Sequence, residues 1–220
     1  MNIEQVRFNM VEQQIRTWNV LDTAVLDLLH TLKRENFVPP AQRDFALMDI
    51  ETPLQPVSAT EHMWTPKMEA RVLQDLRLQG DEHVLEVGSG SGYFTALLAA
   101  RSAKVTSVEI DPALARLATE NLARAGVTNA RVVEGDASRG WKSGAPYDVI
   151  VFTGSMEVVP DELFLQLKST GKLLAIVGKL PVMNATLFTL TSSGGRTQHT
   201  LFETVVAPLV NAAKAPAFVF

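Results

Sequence analysis

The stretch Val84-Leu85-Glu86-Val87-Gly88-Ser89-Gly90-Ser91-Gly92-Tyr93 decides the fold. His83 to Val87 reads as a buried strand, the chain passes directly into Gly-x-Gly-x-Gly, and Tyr93 to Arg101 then reads as a helix. Glycines let the main chain turn sharply and let a ligand lie against it, while unpaired N–H groups at a helix start favour electron-rich ligand groups. A nucleotide-like cofactor belongs at such a loop. A dinucleotide fingerprint needs a third glycine or an alanine at position 93 for close helix–strand packing, and the residue there is Tyr93. The loop is therefore a poor dinucleotide match.

Downstream, the segments alternate. Lys104 to Val108 is a strand, Asp111-Pro112 caps a helix running to Gly126, and Arg131 to Val133 and Tyr147 to Phe152 are strands. A helix from Pro160 to Lys168 is expected to lead into a strand from Lys172 to Val177. Continuous Val, Leu and Ile runs separated by helices imply a parallel sheet covered on both faces. The alternation then stops, and Ala185 to Thr191 and Thr200 to Val206 read as strands joined through Ser193-Gly194-Gly195, a hairpin signal. Glu109 closes the second strand, 21 residues after Gly88, where a carboxylate can accept both hydroxyls of a ribose. Gly135-Asp136 closes the third, where Asp136 can accept an adenine amine and the backbone N–H of Ala137 can meet a ring nitrogen. Each feature alone has a plainer reading, as a turn, an N-cap or a turn residue. Their joint position at the carboxyl ends of successive strands, where open α/β sheets bind ligands, favours the functional one.

Upstream, Phe8, Val11 and Ile15, then Leu21, Val25, Leu28 and Leu32, keep helical spacing and predict two amphipathic helices, the second stopped by Pro39-Pro40. Residues 41 to 64 carry Pro53, Pro56 and the run Ser58-Ala59-Thr60-Glu61-His62-Met63-Trp64, and read as a long irregular loop of the kind that tends to be functional. Thr65-Pro66 is an expected N-cap and first helical residue, followed by the apolar face Met68, Val72, Leu73 and Leu76, with Gly80 ending the helix.

Composition narrows the function classes. The 220 residues are 46% hydrophobic and 20% charged, as in ordinary globular proteins. A formal charge of −4 without long basic runs argues against a nucleic-acid backbone binder. No cysteine means no thiolate metal site and no thiol nucleophile, and it suits a cytoplasmic setting. No apolar run approaches the ~18 residues of a membrane span and no signal peptide is visible, so no membrane association is expected. The four histidines, His30, His62, His83 and His199, make no triad or metal spacing, and no metal is expected. The expected architecture is α/β: a three-layer, Rossmann-like, seven-stranded, mostly parallel sheet with an antiparallel C-terminal hairpin strand. Residues 1–220 form one domain in this reading, with 1–80 as an N-terminal helical extension and loop and 81–220 as the cofactor-binding core.

Glu86-Val87-Gly88-Ser89-Gly90-Ser91-Gly92 together with Glu109 resembles the first motif and the second acid of the class I S-adenosylmethionine-dependent methyltransferases. The resemblance implies S-adenosyl-L-methionine as cofactor and a seventh strand inserted antiparallel beside the fifth. Within that class the chain resembles the protein-L-isoaspartate O-methyltransferase family over nearly its whole length. The matching pieces include Arg34-Glu35-Asn36-Phe37-Val38-Pro39, the Pro53-Leu54 loop, Pro66 with Met68 and Ala70 opening a helix, Gly135-Asp136, Tyr147 to Val151 and Gly171 to Gly178. The family methylates the carboxylate of isoaspartyl residues in proteins, so the resemblance implies a protein or peptide substrate and a monomer or weak homo-oligomer. It implies cofactor contacts at Glu86, Gly88, Ser89, Gly90, Gly92, Glu109, Ile110, Asp136 and Ala137. Acceptor-side catalytic positions fall at Thr65 and Thr153, and substrate-loop positions at Thr60, His62 and Trp64.

Such a transfer needs little from side chains, because a carboxylate is already a nucleophile at neutral pH and a sulfonium methyl is already activated. Two departures bear on the acceptor. Where the family carries Gly-Gln-Thr-Ile-Ser-x-Pro, this chain has Thr60-Glu61-His62-Met63-Trp64-Thr65-Pro66, so Trp64 stands at the serine position. Where the family has Arg-Phe-Val-Pro-Leu, this chain has Val205-Val206-Ala207-Pro208-Leu209, and a positive charge is lost. Trp64 can serve as packing or can offer its ring face to the cofactor's sulfonium. The rival readings are a methyltransferase of the same fold with another acceptor, a cofactor-binding protein without catalysis, and an NAD-dependent oxidoreductase, the last disfavoured by Tyr93 and the hairpin.

Overall fold

Seven strands pair into one sheet: β1 His83–Val87, β2 Lys104–Glu109, β3 Ala130–Glu134, β4 Tyr147–Met156, β5 Leu167–Lys179, β6 Val182–Leu190 and β7 Arg196–Thr204. This computed structural model describes residues 2–55 and 60–216; Pro56, Ser58 and Ala59 of the expected loop lie outside the described residues. The spatial order is β3-β2-β1-β4-β5-β6-β7. The first five strands run parallel, and β6 and β7 join by antiparallel pairing. The mostly parallel sheet of the sequence reading is therefore present, with one correction to its edge. It is the sixth strand that lies beside the fifth, and the seventh forms the edge. Only Leu180 and Pro181 separate β5 from β6, so β6 folds back directly onto its predecessor and occupies the place expected for the seventh strand.

Side chains alternate between two cores, as the pleat requires. Val84, Val149, Val151 and Leu174 pack with one cluster, and Leu85, Ile150, Phe152 and Leu173 with the other. The first cluster is covered by helices α3 Pro66–Leu76, α4 Tyr93–Ala100 and α5 Pro112–Arg124, and it also takes in Met10, Val11, Ile15, Val25 and Leu29 of the N-terminal extension. The short helix α6 Asp161–Phe164 contributes Leu163 and Phe164 to the other face.

The extension differs from its periodicity in ways that trace to two buried ion pairs. Helix α1, Ile3–Asn9, is capped by the Asn2 side chain and continues into a π-helical turn, Met10–Ile15, then a 3-10 turn, Arg16–Trp18. The wider turn rotates the buried face. Phe8 is left exposed, while Arg7 goes inside and makes a bidentate pair with Glu35 at 2.6 and 2.9 Å. Helix α2, Thr23–Thr31, ends well before Pro39-Pro40, with Leu32 already extended (ψ 103°), so that Arg34 and Glu35 can turn into the interior. Helix α3 also stops earlier than expected, at Leu76, where Arg77 takes a left-handed conformation. The expected helix from Pro160 to Lys168 is cut to α6 because the Gln166 carbonyl accepts from Tyr147 N and Leu167 pairs with Tyr147. Pairing with the sheet overrides the helical pattern there. Between the helices, Thr52–Pro53 and His62–Met63 form a small antiparallel pair, so the expected irregular loop has a fixed base.

Candidate active site

At the carboxyl end of β1 the main chain turns through Gly88 to Gly92 into α4, and the outgoing geometry is set by groups around it. Gly88 donates its N–H to the Val108 carbonyl at 2.8 Å, which ties the loop to β2. The Glu109 carboxylate accepts from the N–H of Gly90 at 2.9 Å and of Asp111 at 3.1 Å. Thr153, at the carboxyl end of β4, directs its hydroxyl to the carbonyls of Val87 and Gly88, both at 2.9 Å. A Cβ on Gly92 would lie 3.1 Å from the Ala118 backbone, so the close approach at this loop is between α4 and α5. Tyr93 is turned the other way, its ring edge-on to Phe37 at 5.3 Å and 5.6 Å from the Arg34 guanidinium, and it joins the core to the extension.

Above this loop lies a cavity of about 170 Å3. Its floor is Gly88, Ser89, Gly90, Glu109 and Thr153; its cover is Leu54, Thr60, Glu61, His62, Met63 and Trp64 from the extension. Gln55 reaches across to Asp111 at 3.3 Å and ties the cover to the start of α5. A smaller cleft of about 30 Å3 shares Gly88, Glu109 and Ile110 with the first and continues to Gly135, Asp136 and Ala137. The Asp136 carboxylate accepts from Ser138 N and from Asn211 Nδ2, both at 2.8 Å. Burial acts to raise its pKa, and these two donors more than offset that, leaving it below the usual carboxylate range.

The predicted site residues thus divide. Gly88, Ser89, Gly90, Glu109, Ile110, Asp136, Ala137, Thr60, His62, Trp64 and Thr153 line the two connected clefts. Gly92 is not among the lining residues and acts through helix packing. Thr65 is also absent from the lining. It sits at the head of α3, where its carbonyl accepts from Met68 and Glu69, and the Pro66 ring fixes the chain beside it. The one hydroxyl hydrogen of Thr153 is shared between two loop carbonyls, so Thr153 holds the glycine loop in place and has no hydrogen left for an acceptor. The sequence reading passes over Phe94, which packs on Trp64 at 5.3 Å between ring centres, and it marks Val205 to Leu209 only as a lost charge, whereas Val206 to Val210 line the cavity. That segment is held by Ser155, which bonds to the backbone of Val206, Ala207 and Leu209. The Pro208-Leu209 match was the available signal.

Glu86 is the main correction. Its side chain is 0% exposed and points beneath the loop, where Oε2 accepts from Thr95 and Ser107, each at 2.5 Å, and Oε1 has no partner among the described residues. Ser107 also meets Ser89 at 2.6 Å, so Glu86 supports the loop through a hydroxyl chain and makes no lining contact. Burial pushes its pKa up to about 8; the Ser107 and Thr95 hydroxyls oppose this, and the nearby charges of Glu109 and Glu69 add to it. The sign of the linkage follows. Between the ordinary 4.5 and about 8, the folded protein keeps a proton that the unfolded chain has lost, so this group's stabilisation falls as pH rises through that window. Glu86→Gln cannot ionise, so the difference in Tm between the variant and the natural protein is expected to move in the variant's favour from pH ~5 to pH ~8. Parallel melting-temperature curves in the two proteins across that range would refute the assignment.

A glycine loop with an acid after each of the next two strands, on a seven-stranded sheet with an antiparallel end, is the arrangement of an S-adenosylmethionine-dependent methyltransferase. Residues 5–214 match the family described as Protein-L-isoaspartate(D-aspartate) O-methyltransferase. The chain belongs to this family. It is similar to the Protein-L-isoaspartate O-methyltransferase of Methanoculleus marisnigri, with 42% identity over 78% of this chain and 77% of that one. The Protein-L-isoaspartate O-methyltransferase 1 of Rhodopseudomonas palustris is 41% identical over 78% of this chain and 69% of its own length. A solved structure of a protein-L-isoaspartate O-methyltransferase superposes with a TM-score of 0.79 at 25% identity, covering 93% of this chain and 66% of that one. The fold, the class of enzyme and the cofactor of the sequence reading stand on these findings, and no helix among the described residues is long and apolar enough to cross a membrane. No cluster of three or more metal-ligating side chains occurs among the described residues.

Proposed function

We infer that this protein transfers a methyl group from S-adenosylmethionine to the free carboxylate of isoaspartyl residues in damaged proteins, and that it does so as one domain. The observation that carries this reading is that Thr60 to Trp64 of the extension and Gly88, Gly90 and Glu109 of the core line one cavity, so the family's substrate segment and the cofactor loop face the same space. A shared hydrophobic core between extension and sheet supports the single domain. The relatives' names support the acceptor. The residues present fit the cofactor: Glu109 offers a carboxylate to ribose hydroxyls, Asp136 an acceptor to the adenine amine, and Gly88 and Gly90 a main-chain surface, with the Ser89 hydroxyl turned to Ser107. When bound, the cofactor supplies an activated methyl on a positively charged sulfur.

The protein's own part is alignment and exclusion of water. Thr153 and Glu109 fix the loop from two sides, and Leu54, Met63 and Trp64 cover it with apolar surface. No general base is required, because the attacking oxygen belongs to a carboxylate. This reading implies a cytoplasmic repair role, with protein segments as partners. A second reading, another acceptor on the same scaffold, is favoured by Trp64 at the family's serine position.

The test is methyl transfer to an isoaspartyl peptide beside its aspartyl twin. Incorporation is expected into the first alone, and Trp64→Ser is expected to raise it, since a serine hydroxyl can donate to the acceptor carboxylate from a compact side chain where the indole fills the space. Measurable binding of S-adenosylhomocysteine with no incorporation into either peptide would remove the isoaspartyl assignment and leave the second reading.

A further inference from the structure

The lining of the main cavity has an unusual charge balance. Glu51, Glu61, Glu69, Glu109 and Asp111 all contribute to it, and no Lys or Arg does among the described residues. Two aromatic rings, Trp64 and Phe94, form one wall, packed at 5.3 Å with a 52° tilt, and Trp64 is only 6% exposed. Glu69 is matched by the buried Arg34, which pairs with it at 3.0 Å and donates to the carbonyls of Ala46 and Trp64, both at 2.6 Å; the other carboxylates, Glu51, Glu61, Glu109 and Asp111, set the charge of the cleft. Carboxylates and ring faces together attract a cation, and a desolvated aromatic face does so most strongly.

We propose that the Trp64–Phe94 wall and the carboxylates around it make this cleft selective for the sulfonium form of its cofactor over the neutral thioether that remains after transfer. The inference rests on methyl transfer from S-adenosylmethionine in this cleft, whatever the acceptor. As the acceptor oxygen attacks, an O–CH3 bond forms, the C–S bond breaks and its electron pair stays on sulfur. The positive charge is thereby removed from the bound molecule without any proton moving. A wall that favours the cation loses part of its attraction at that moment, so the spent cofactor is held less tightly than the sulfonium it came from. Trp64, a departure from the family's serine, thus discriminates between the charged and the spent cofactor.

The experiment is calorimetric titration of the full chain with S-adenosylmethionine and, separately, S-adenosylhomocysteine. The natural protein is expected to bind the sulfonium about five-fold more tightly than the thioether. Trp64→Leu keeps an apolar side chain against Phe94 and removes the ring face; it is expected to weaken the sulfonium about five-fold, leave the thioether within about two-fold, and so bring the ratio near one. Trp64→Phe keeps a ring and is expected to keep most of the preference. High salt is expected to narrow the ratio in the natural protein. Equal or tighter thioether binding by the natural protein, or a Trp64→Leu change that weakens both ligands alike, would overturn the proposal. The ratio in the natural protein decides even if Trp64→Leu does not fold. Failure of the isoaspartyl reading appears in the peptide assay, which this ratio does not enter.

Discussion

Gly88→Ala is expected to abolish cofactor binding, with affinity for S-adenosylhomocysteine reduced by at least ~100-fold. Gly88 has φ +96°, a region that an L side chain enters at a cost of about 1–2 kcal/mol. The new Cβ would also overlap the Thr153 hydroxyl, and the Thr153 Cβ and Leu209 Cδ2 would lie within 4 Å of it. Thr153 cannot simply rotate away, because its hydroxyl holds the Val87 and Gly88 carbonyls that shape the loop. Either the hydroxyl is expelled or the loop shifts into the cofactor's place. Misplacing a binding loop by about 1 Å is enough to cost orders of magnitude in function. Calorimetry checks the prediction, with circular dichroism to establish that the variant is folded. Adding Thr153→Ala to Gly88→Ala removes the overlap but keeps the backbone cost, so the double variant is expected to regain part of the affinity. Near-normal binding by Gly88→Ala alone would mean that the loop is not where the cofactor lies.

Arg34→Met is expected to destabilise the protein by about 3–5 kcal/mol, the usual consequence of breaking a buried ion pair from one side. In a chain of this length that corresponds to a fall in Tm of about 6–20 °C. Arg34 and Glu69 are both buried at the junction of the extension and α3. Removing the guanidinium strands the Glu69 carboxylate and leaves the Ala46 and Trp64 carbonyls without their donor. Burial already raises the Glu69 pKa to about 7, with Arg34 pulling it down, so losing Arg34 raises it further. The variant is therefore expected to fare worse above pH ~7, where the folded state must hold either a charge or a proton the solvent no longer supplies. Arg34→Met with Glu69→Leu removes both charges and is expected to recover much of the stability, as apolar replacements of buried pairs do. Cofactor affinity reports the second consequence, because Arg34 anchors the Trp64 carbonyl in the cavity cover. Thermal melts of the single and double variants test the pair; a loss under ~1 kcal/mol for Arg34→Met would show that the extension is held by apolar packing alone.

Much of the core was legible from local pattern. The strand at His83 to Val87, the glycine turn, the helix capped by Asp111 and the run into Glu109 need only neighbours along the chain to explain them, and they appear where the periodicity puts them. Less local elements moved. Helix α6 is short because Tyr147 captures the backbone at Gln166, and α2 ends early because Arg34 and Glu35 are drawn inward. The site shows the same division. Glu109 and Asp136 could be assigned because the end of a parallel strand defines where a side chain meets the ligand edge. Glu86 stands one residue before Val87 in the same motif, yet it points beneath the loop, and only Ser107 and Thr95 on other elements reveal why a buried carboxylate is tolerated there.

By itself, then, the amino-acid sequence determined the class of fold, the cofactor loop and the acids that follow it, since these depend on side-chain period and on backbone freedom within a few residues. The tertiary structure alone decided which hydroxyl faces the loop, Thr153 rather than Thr65, and which strand forms the sheet edge. It also decided that Trp64 meets Phe94 over a cavity whose lining carries carboxylates and no fixed cation among the described residues. The strand edge follows from the two-residue connection between β5 and β6, whereas the contacts of Thr153 and Trp64 join residues about 30 or more positions apart, and their energies arise from burial and from groups brought together only in the folded chain.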